Sequence, residues 1–362
     1  MKTRNISGGG TRDSSIELFR IVTMLCIIAH HYVVNSGITA QITQDNAMAF
    51  PAVFSLLFGW GGKTGINCFV LITGYFMCQS QASMRKFLKL VLEVEFYKLL
   101  FCLVFLFSGY APFSMKEFLK ALIPVYSLGT GFIDSYLVFY LFIPFLNLLI
   151  KEMDKIQHLE LVGLCLLVGT MFQTFLKAPA AFTYVGWFMV LYFLGAYIRL
   201  YPERYLDNRK LWGTALLISL LLSWGSVIAG AWVYAEWGKG VYYHFVADSN
   251  KFLAVVTAVS AFLFFKNLEL GYRPIINRIA ASTFGVLMIH ANSDTMRRWL
   301  WQDFLDNVAA YYSSYYVLHA VGSVLSVYAV CALIDMVRIR FLEKPFLKLY
   351  DEACQSRNRE CS

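Results

Sequence analysis

The chain has 362 residues, 58% of them hydrophobic and 15% charged, against roughly 45–50% and about 25% in soluble domains. With 24 Gly, 8 Pro and no low-complexity tract, it is neither collagen-like nor disordered, because disorder needs low hydrophobicity and high charge. The net charge of +8 does not indicate nucleic acid, since Lys and Arg are scattered between apolar stretches and form no basic stripe. The composition predicts an all-α, polytopic membrane helix bundle, partnered by the lipid bilayer and by no nucleic acid.

A bilayer core of about 30 Å takes around 20 apolar residues per helix. About ten such segments are expected, near residues 14–36, 62–79, 87–109, 132–150, 159–177, 184–200, 211–234, 250–268, 277–292 and 314–338. The ninth is short and begins just after Arg273 and Pro274, so tilting and continuation toward Arg297 are both open. The first runs past His30 and His31 into Val33 and Val34 without a small-residue cleavage site and reads as retained. Residues 1–12, with Gly8, Gly9 and Gly10, read as a flexible cytoplasmic tail, 13–350 as the membrane domain and 351–362 as a cytoplasmic C-terminal tail.

Orientation follows from the positive-inside bias. With the N-terminus inside, about 21 basic residues are cytoplasmic, among them Arg85, Lys86, Lys89, Arg199, Arg204 and those from Arg338 onward. About eight lie outside: Lys63, Lys116, Lys120, Lys177, Lys239, Lys251, Arg297 and Arg298. An even number of spans with both termini cytoplasmic is therefore expected. The eight cysteines include no CxxC pair and read as reduced, small apolar residues. No outer loop exceeds about 25 residues, so chemistry is expected inside the bundle or at its mouths.

Ionisable groups within spans cost several kcal/mol and are candidates for function by default. The first span carries Asp13, Glu17, Arg20, His30 and His31. Positions 13, 17, 20, 24, 27 and 31 share one helical stripe, and Arg20 and His31 stand about 16.5 Å apart along it. One reading is a charged channel in which a histidine takes a proton from a nucleophile. The plainer one pairs Glu17 with Arg20 at i,i+3 and has the histidines bond a neighbouring helix. Only one of the two adjacent histidines is expected to face a cavity.

The run "SSIELFRIVTMLCIIAHHYV" resembles the opening span of the acyltransferase 3 family of integral membrane O-acyltransferases, where an Arg and a His are separated by ten residues. That spacing selects Arg20 and His31 over His30. Further blocks resemble the same family in order: "GGKTGINCFVLITGYFM", "MRKFLKLVLEVEFY", "FIDSYLVFYLFIPFLNLL", "WFMVLYFLGAYIRLYP" and "ASTFGVLMIH". The likeness covers roughly residues 13–350 and is greatest to the cell-surface polysaccharide branch, without the extra esterase-like domain of some members. The resemblance implies transfer of an acyl group, usually acetyl, from cytoplasmic acyl-CoA to a hydroxyl of a cell-surface or lipid-linked glycan, in a bacterial plasma membrane. His31 would be the base, because a sugar hydroxyl is a poor nucleophile until its proton is taken. Arg20 would steer a CoA phosphate or stabilise developing charge, with Glu17 on the same wall.

Arg85, Lys86 and Lys89, at a cytoplasmic helix start, are candidates for binding the phosphates of acetyl-CoA, or ordinary positive-inside residues. His290, followed by Asn292 and Asp294 near the outer end of the ninth span, either binds the acceptor or assists proton transfer, or makes an interfacial hydrogen bond. Asp134, with Tyr136 and Tyr140 below it, is a candidate sugar contact or a plain helix N-terminal carboxylate. Trp187, Tyr192 and Tyr197 read as packing residues and His158 as solvated. His244 and His319 have no partner at metal-ligand spacing, and no metal site is expected. "GGKTG" at 61–65 lacks the spacing of a phosphate loop. The competing function is a glycan, lipid or solute transporter using the same Arg and His as a proton relay, and a homodimer is an open case. A third is a non-catalytic sensor or assembly factor.

Overall fold

The computed structural model describes residues 12–360 apart from 81–82, 113, 124–130, 177 and 180. All of the expected tail at residues 1–12 except Arg12, and the last two residues, thus lie outside the described residues. Everything described is helix, turn or irregular chain, with no strand among the described residues.

Helix α1 (Ser14–Val34) begins where Asp13 caps the backbone N–H of Ser15, satisfying one of the orphan donors of a helix start. Its first turn is stitched to the chain near residue 273. Ser14 Oγ donates to Asn277 and accepts from the Arg273 N–H, while Ser15 Oγ accepts from Leu270. Next come the short α2 (Ile38–Gln41), α3 (Phe50–Gly59), started by Pro51, and α4 (Gly62–Met77). Ser83 caps α5 (Met84–Phe107), which α6 (Met115–Leu122) follows. Then come α7 (Phe132–Glu152) and α8 (Lys155–Leu166), the latter opened by a reciprocal cap between Asp154 and Gln157.

A π-helical stretch (Leu167–Phe172) joins α8 to α9 (Gln173–Phe175), and the Asn250 amide donates to the Gly169 carbonyl there, 2.9 Å away. After α10 (Tyr184–Leu200) and α11 (Arg209–Trp237) comes α12 (Phe252–Lys266). The expected ninth span divides into α13 (Pro274–Ala280) and α14 (Thr283–His290), with a turn at Ala281 and Ser282. Beyond it stand α15 (Asp294–Arg298) and α16 (Asn307–Tyr311), then α17 (Tyr316–Arg338) and α18 (Lys344–Glu360).

Among the described residues, five helical stretches are long and apolar enough to cross a bilayer: Ser14–Val34, Phe132–Glu152, Lys155–Phe175, Arg209–Trp237 and Tyr316–Gln355. Tyr184–Leu200 and Phe252–Lys266 are shorter apolar helices. Leu141, Phe145 and Leu148 on α7, Leu217 and Leu221 on α11 and Leu318, Leu325 and Leu333 on α17 are exposed. Leucine rows of this kind meet acyl chains in a membrane and have no counterpart on a soluble bundle.

Two apolar cores flank α1. One joins it to α5, α14 and α17 around Tyr32, Tyr97 and Trp301, and the other joins α4, α7, α10 and α12 around Phe139, Phe188 and Tyr192. Trp187, Tyr192 and Tyr197 are packed inside, as expected. The second core depends on close backbone approach: a Cβ on Gly195 would stand 2.6 Å from the Leu71 carbonyl oxygen. In lipid, where apolar surface gains little from association, such contacts drive helix pairing. His158 corrects the expectation of a solvated ring, for it is fully buried. It faces α10, where its Nε2–H donates to the Phe193 carbonyl at 3.0 Å and the ring stands edge-on to Phe193, Tyr197 and Tyr201.

Where α5, α17 and the start of α18 meet, Arg338 is enclosed by three carboxylates: Glu93 at 3.0 Å, Asp335 at 2.7 Å and Glu343 at 2.9 Å. Lys89 reaches Glu343 at 2.8 Å and the Tyr97 hydroxyl donates to Asp335. By contrast, the Arg85–Asp351 pair that docks α18 on α5 is exposed on both sides and contributes little after screening. Arg338→Met should therefore lower stability by about 3–5 kcal/mol, the cost of leaving buried carboxylates unpaired. Arg85→Ala should leave the melting midpoint of detergent-purified protein unchanged. Gly195→Val should cost about 1–3 kcal/mol through overpacking, read in the same thermal melts.

Candidate functional site

Helix α1 carries His30 and His31 on successive 100° steps, and the structure places both on one cavity. The expectation that only one would face it is corrected here. The reason lies in α4: a Cβ on Gly62 would fall 2.2 Å from the His30 ring, so the missing side chain makes room for that imidazole. His30 Nδ1–H then donates to the Gly59 carbonyl at 2.6 Å. His31 Nδ1 and His290 Nε2 are hydrogen-bonded at 3.0 Å, and His290 Nδ1–H donates to the Val286 carbonyl at 2.6 Å. Among the described residues neither Nε2 of the α1 histidines has a hydrogen-bond partner, and both histidines line the cavity.

The cavity has a volume of about 580 Å³. Its wall runs from His30, His31, Gly62 and Lys63 to Lys98 and Asp134, and closes at Asn292, Asp294 and Arg297. Lys98 Nζ lies 3.4 Å from Asp134 and 3.4 Å from the Ile123 carbonyl. Lys63 donates to the Tyr184 hydroxyl at 2.6 Å and stands 3.8 Å from Asp248. Arg297 pairs with Asp294 at 2.7 Å. Polar groups that converge in a mostly apolar pocket are the usual anatomy of a small-molecule site.

His31, Asp134 and Asp294 thus meet at one cavity, Asp294 exposed at its mouth, while His290 is fully buried behind His31 and does not line the wall. Glu17 and Arg20 do not line it. They lie lower on α1, and no ion pair joins them among the described residues. Glu17 Oε2, Arg20 Nε and Thr23 Oγ1 are instead buried without a partner, and Tyr140 Oη on α7 is unpartnered too. Arg85 and Lys89 lie apart from the cavity, held by Asp351 and Glu343, and Lys86 stands beside them in the first turn of α5.

Lys63 and Arg297 read from sequence only as outer-loop charges, yet both line the site. Lys98 carried a signal that was legible, an ammonium inside the apolar stretch 87–109, where every charge is costly. The same holds for Glu93 and Asp335, which share Arg338: it comes to Glu93 from the end of another helix and stands three residues from Asp335 on α17.

No curated protein and no solved structure matches the chain. A family model described as an acyltransferase domain matches residues 13–336, a range that holds every residue of the cavity wall. The chain therefore belongs to the acyltransferase 3 family, and it is an acyltransferase of that membrane family.

Proposed function

We propose that the protein is a membrane-bound O-acyltransferase that moves an acyl group, acetyl in the simplest case, from acyl-CoA to a hydroxyl of a cell-surface polysaccharide or lipid-linked glycan. The observation that carries this reading is the Nε2 of His31, without a hydrogen-bond partner among the described residues, at a mostly apolar cavity with convergent polar groups, in a chain of acyltransferase family. Helix α1 would cross with its N-terminus in the cytoplasm, as one of ten spans with both termini inside. The cavity mouth at Asp294 and Arg297 then faces outward and takes the acceptor, with Asp134, His290 and Asp294 on the acceptor side.

Donor and acceptor would meet at His31. Its Nε2 removes the hydroxyl proton as the oxygen attacks the thioester carbonyl, the C–O bond forms, and the C–S bond breaks. The proton passes from His31 to the departing CoA thiolate, leaving an ester and a free thiol. Lys63, Lys98 and Arg297 supply positive potential where charge develops on the carbonyl oxygen. The unpartnered groups of Glu17, Arg20, Thr23 and Tyr140 favour a donor route from the opposite end, since buried polar atoms without partners call for a ligand or water. At that end the CoA phosphates would meet Arg85, Lys86 and Lys89, displacing Asp351 and Glu343.

In membranes supplied with radiolabelled acetyl-CoA, wild type should label envelope glycans. His31→Ala and His31→Gln, at matched protein level and melting midpoint, should lose about 10²–10⁴-fold of that incorporation. Retained incorporation in His31→Gln would remove the base. No incorporation by wild type across several acyl donors would overturn the reading in favour of transport.

A further inference from the structure

His290 is fully buried at the end of α14, and both of its ring nitrogens are engaged. The Val286 oxygen can only accept, so the proton of that 2.6 Å bond belongs to His290 Nδ1. A neutral His290 is then left with a lone pair on Nε2. The 3.0 Å contact with His31 needs one donor, which must be His31 Nδ1–H. A doubly protonated His290 would reverse that bond. It would also bury an imidazolium with no carboxylate within ion-pair distance among the described residues and with Arg297 nearby, an arrangement that a low-dielectric interior disfavours.

We infer that His290 is a positioning residue that holds His31 in its Nδ1–H tautomer, leaving the Nε2 lone pair toward the cavity. This rests on His31 as the base of the proposed reaction. A neutral histidine side chain free in water favours the opposite tautomer, in which Nε2 carries the proton and cannot accept another. The Val286 carbonyl, His290 and His31 thus form a chain in which one backbone oxygen, through two rings, decides which nitrogen of His31 is basic. Orientation by a third group is the general logic of paired acid–base residues. His30 is fixed the same way by the Gly59 carbonyl, which sets its own Nδ1 proton without touching His31.

The tautomer is read directly by nitrogen NMR on the full chain in lipid nanodiscs, with imidazole ¹⁵N label and the His31→Gln variant to assign the signal. His31 should show a protonated Nδ1 and an unprotonated Nε2. In His290→Phe, which has no acceptor, it should shift toward the Nε2–H form. In His290→Gln, whose side-chain carbonyl replaces the lone pair, it should keep the wild-type pattern. In the acyl-transfer assay His290→Phe should lose at least about 10²-fold in kcat with KM changed less than about threefold, and His290→Gln should recover most of it. A protonated His31 Nε2 in wild type, or an unchanged tautomer in His290→Phe, overturns the inference. So does equal loss in the Phe and Gln variants. Should His290→Phe fail to fold, His290→Asn, too short to reach His31, takes its place. Because the NMR result needs no acyl transfer, it separates failure of this inference from failure of the proposed reaction.

Discussion

Helix α4 meets α1 so closely that the His30 imidazole fills the place a side chain at position 62 would take. That approach fixes the rotation of α1 about its own axis, and the rotation in turn decides what faces the cavity. With His30 seated over Gly62 and bonded to Gly59, His31 is turned toward α14 and His290. Its stripe-mates Glu17 and Arg20 are carried to the opposite end of the bundle. The site is thus a consequence of helix packing: the Gly59 carbonyl holds His30, and the Val286 carbonyl holds His290, which bonds His31.

Charge inside the bundle obeys the same economy of partners. Arg338 takes three carboxylates and the cavity lysines are each tied to a hydroxyl, a carbonyl or a carboxylate. A low-dielectric interior makes unpaired charge costly, which is why these pairs lock helices α5, α7, α10 and α17 in register. Among the exceptions, the unpartnered atoms of Glu17, Arg20 and Thr23 lie together on the first three turns of α1, and others, such as Tyr140 Oη on α7, lie elsewhere in the bundle.

Much of this was legible from the residues. Apolar runs located helices to within a few positions, as with 132–150 against Phe132–Glu152 and 184–200 against Tyr184–Leu200. The eleven-residue separation put Arg20 and His31 on one helix, and α1 is unbroken between them. What periodicity could not supply was the company each side chain keeps across helices. His158 looked solvated because Lys155 and Glu160 flank it in sequence, while its fate is set by α10. Both histidines face the cavity because of a glycine on another helix. The break between α13 and α14 follows from a turn at Ser282, which no proline or glycine announces.

The rim of the cavity is electrically mixed. Lys63 stands beside Asp248, Lys98 beside Asp134 and Arg297 beside Asp294, so each cation of the wall has a carboxylate next to it. Such an arrangement produces short-range dipoles that cancel beyond a Debye length. The mouth is therefore no long-range attractor for charged molecules, and capture there rests on shape and hydrogen bonding at contact, with little dependence on ionic strength.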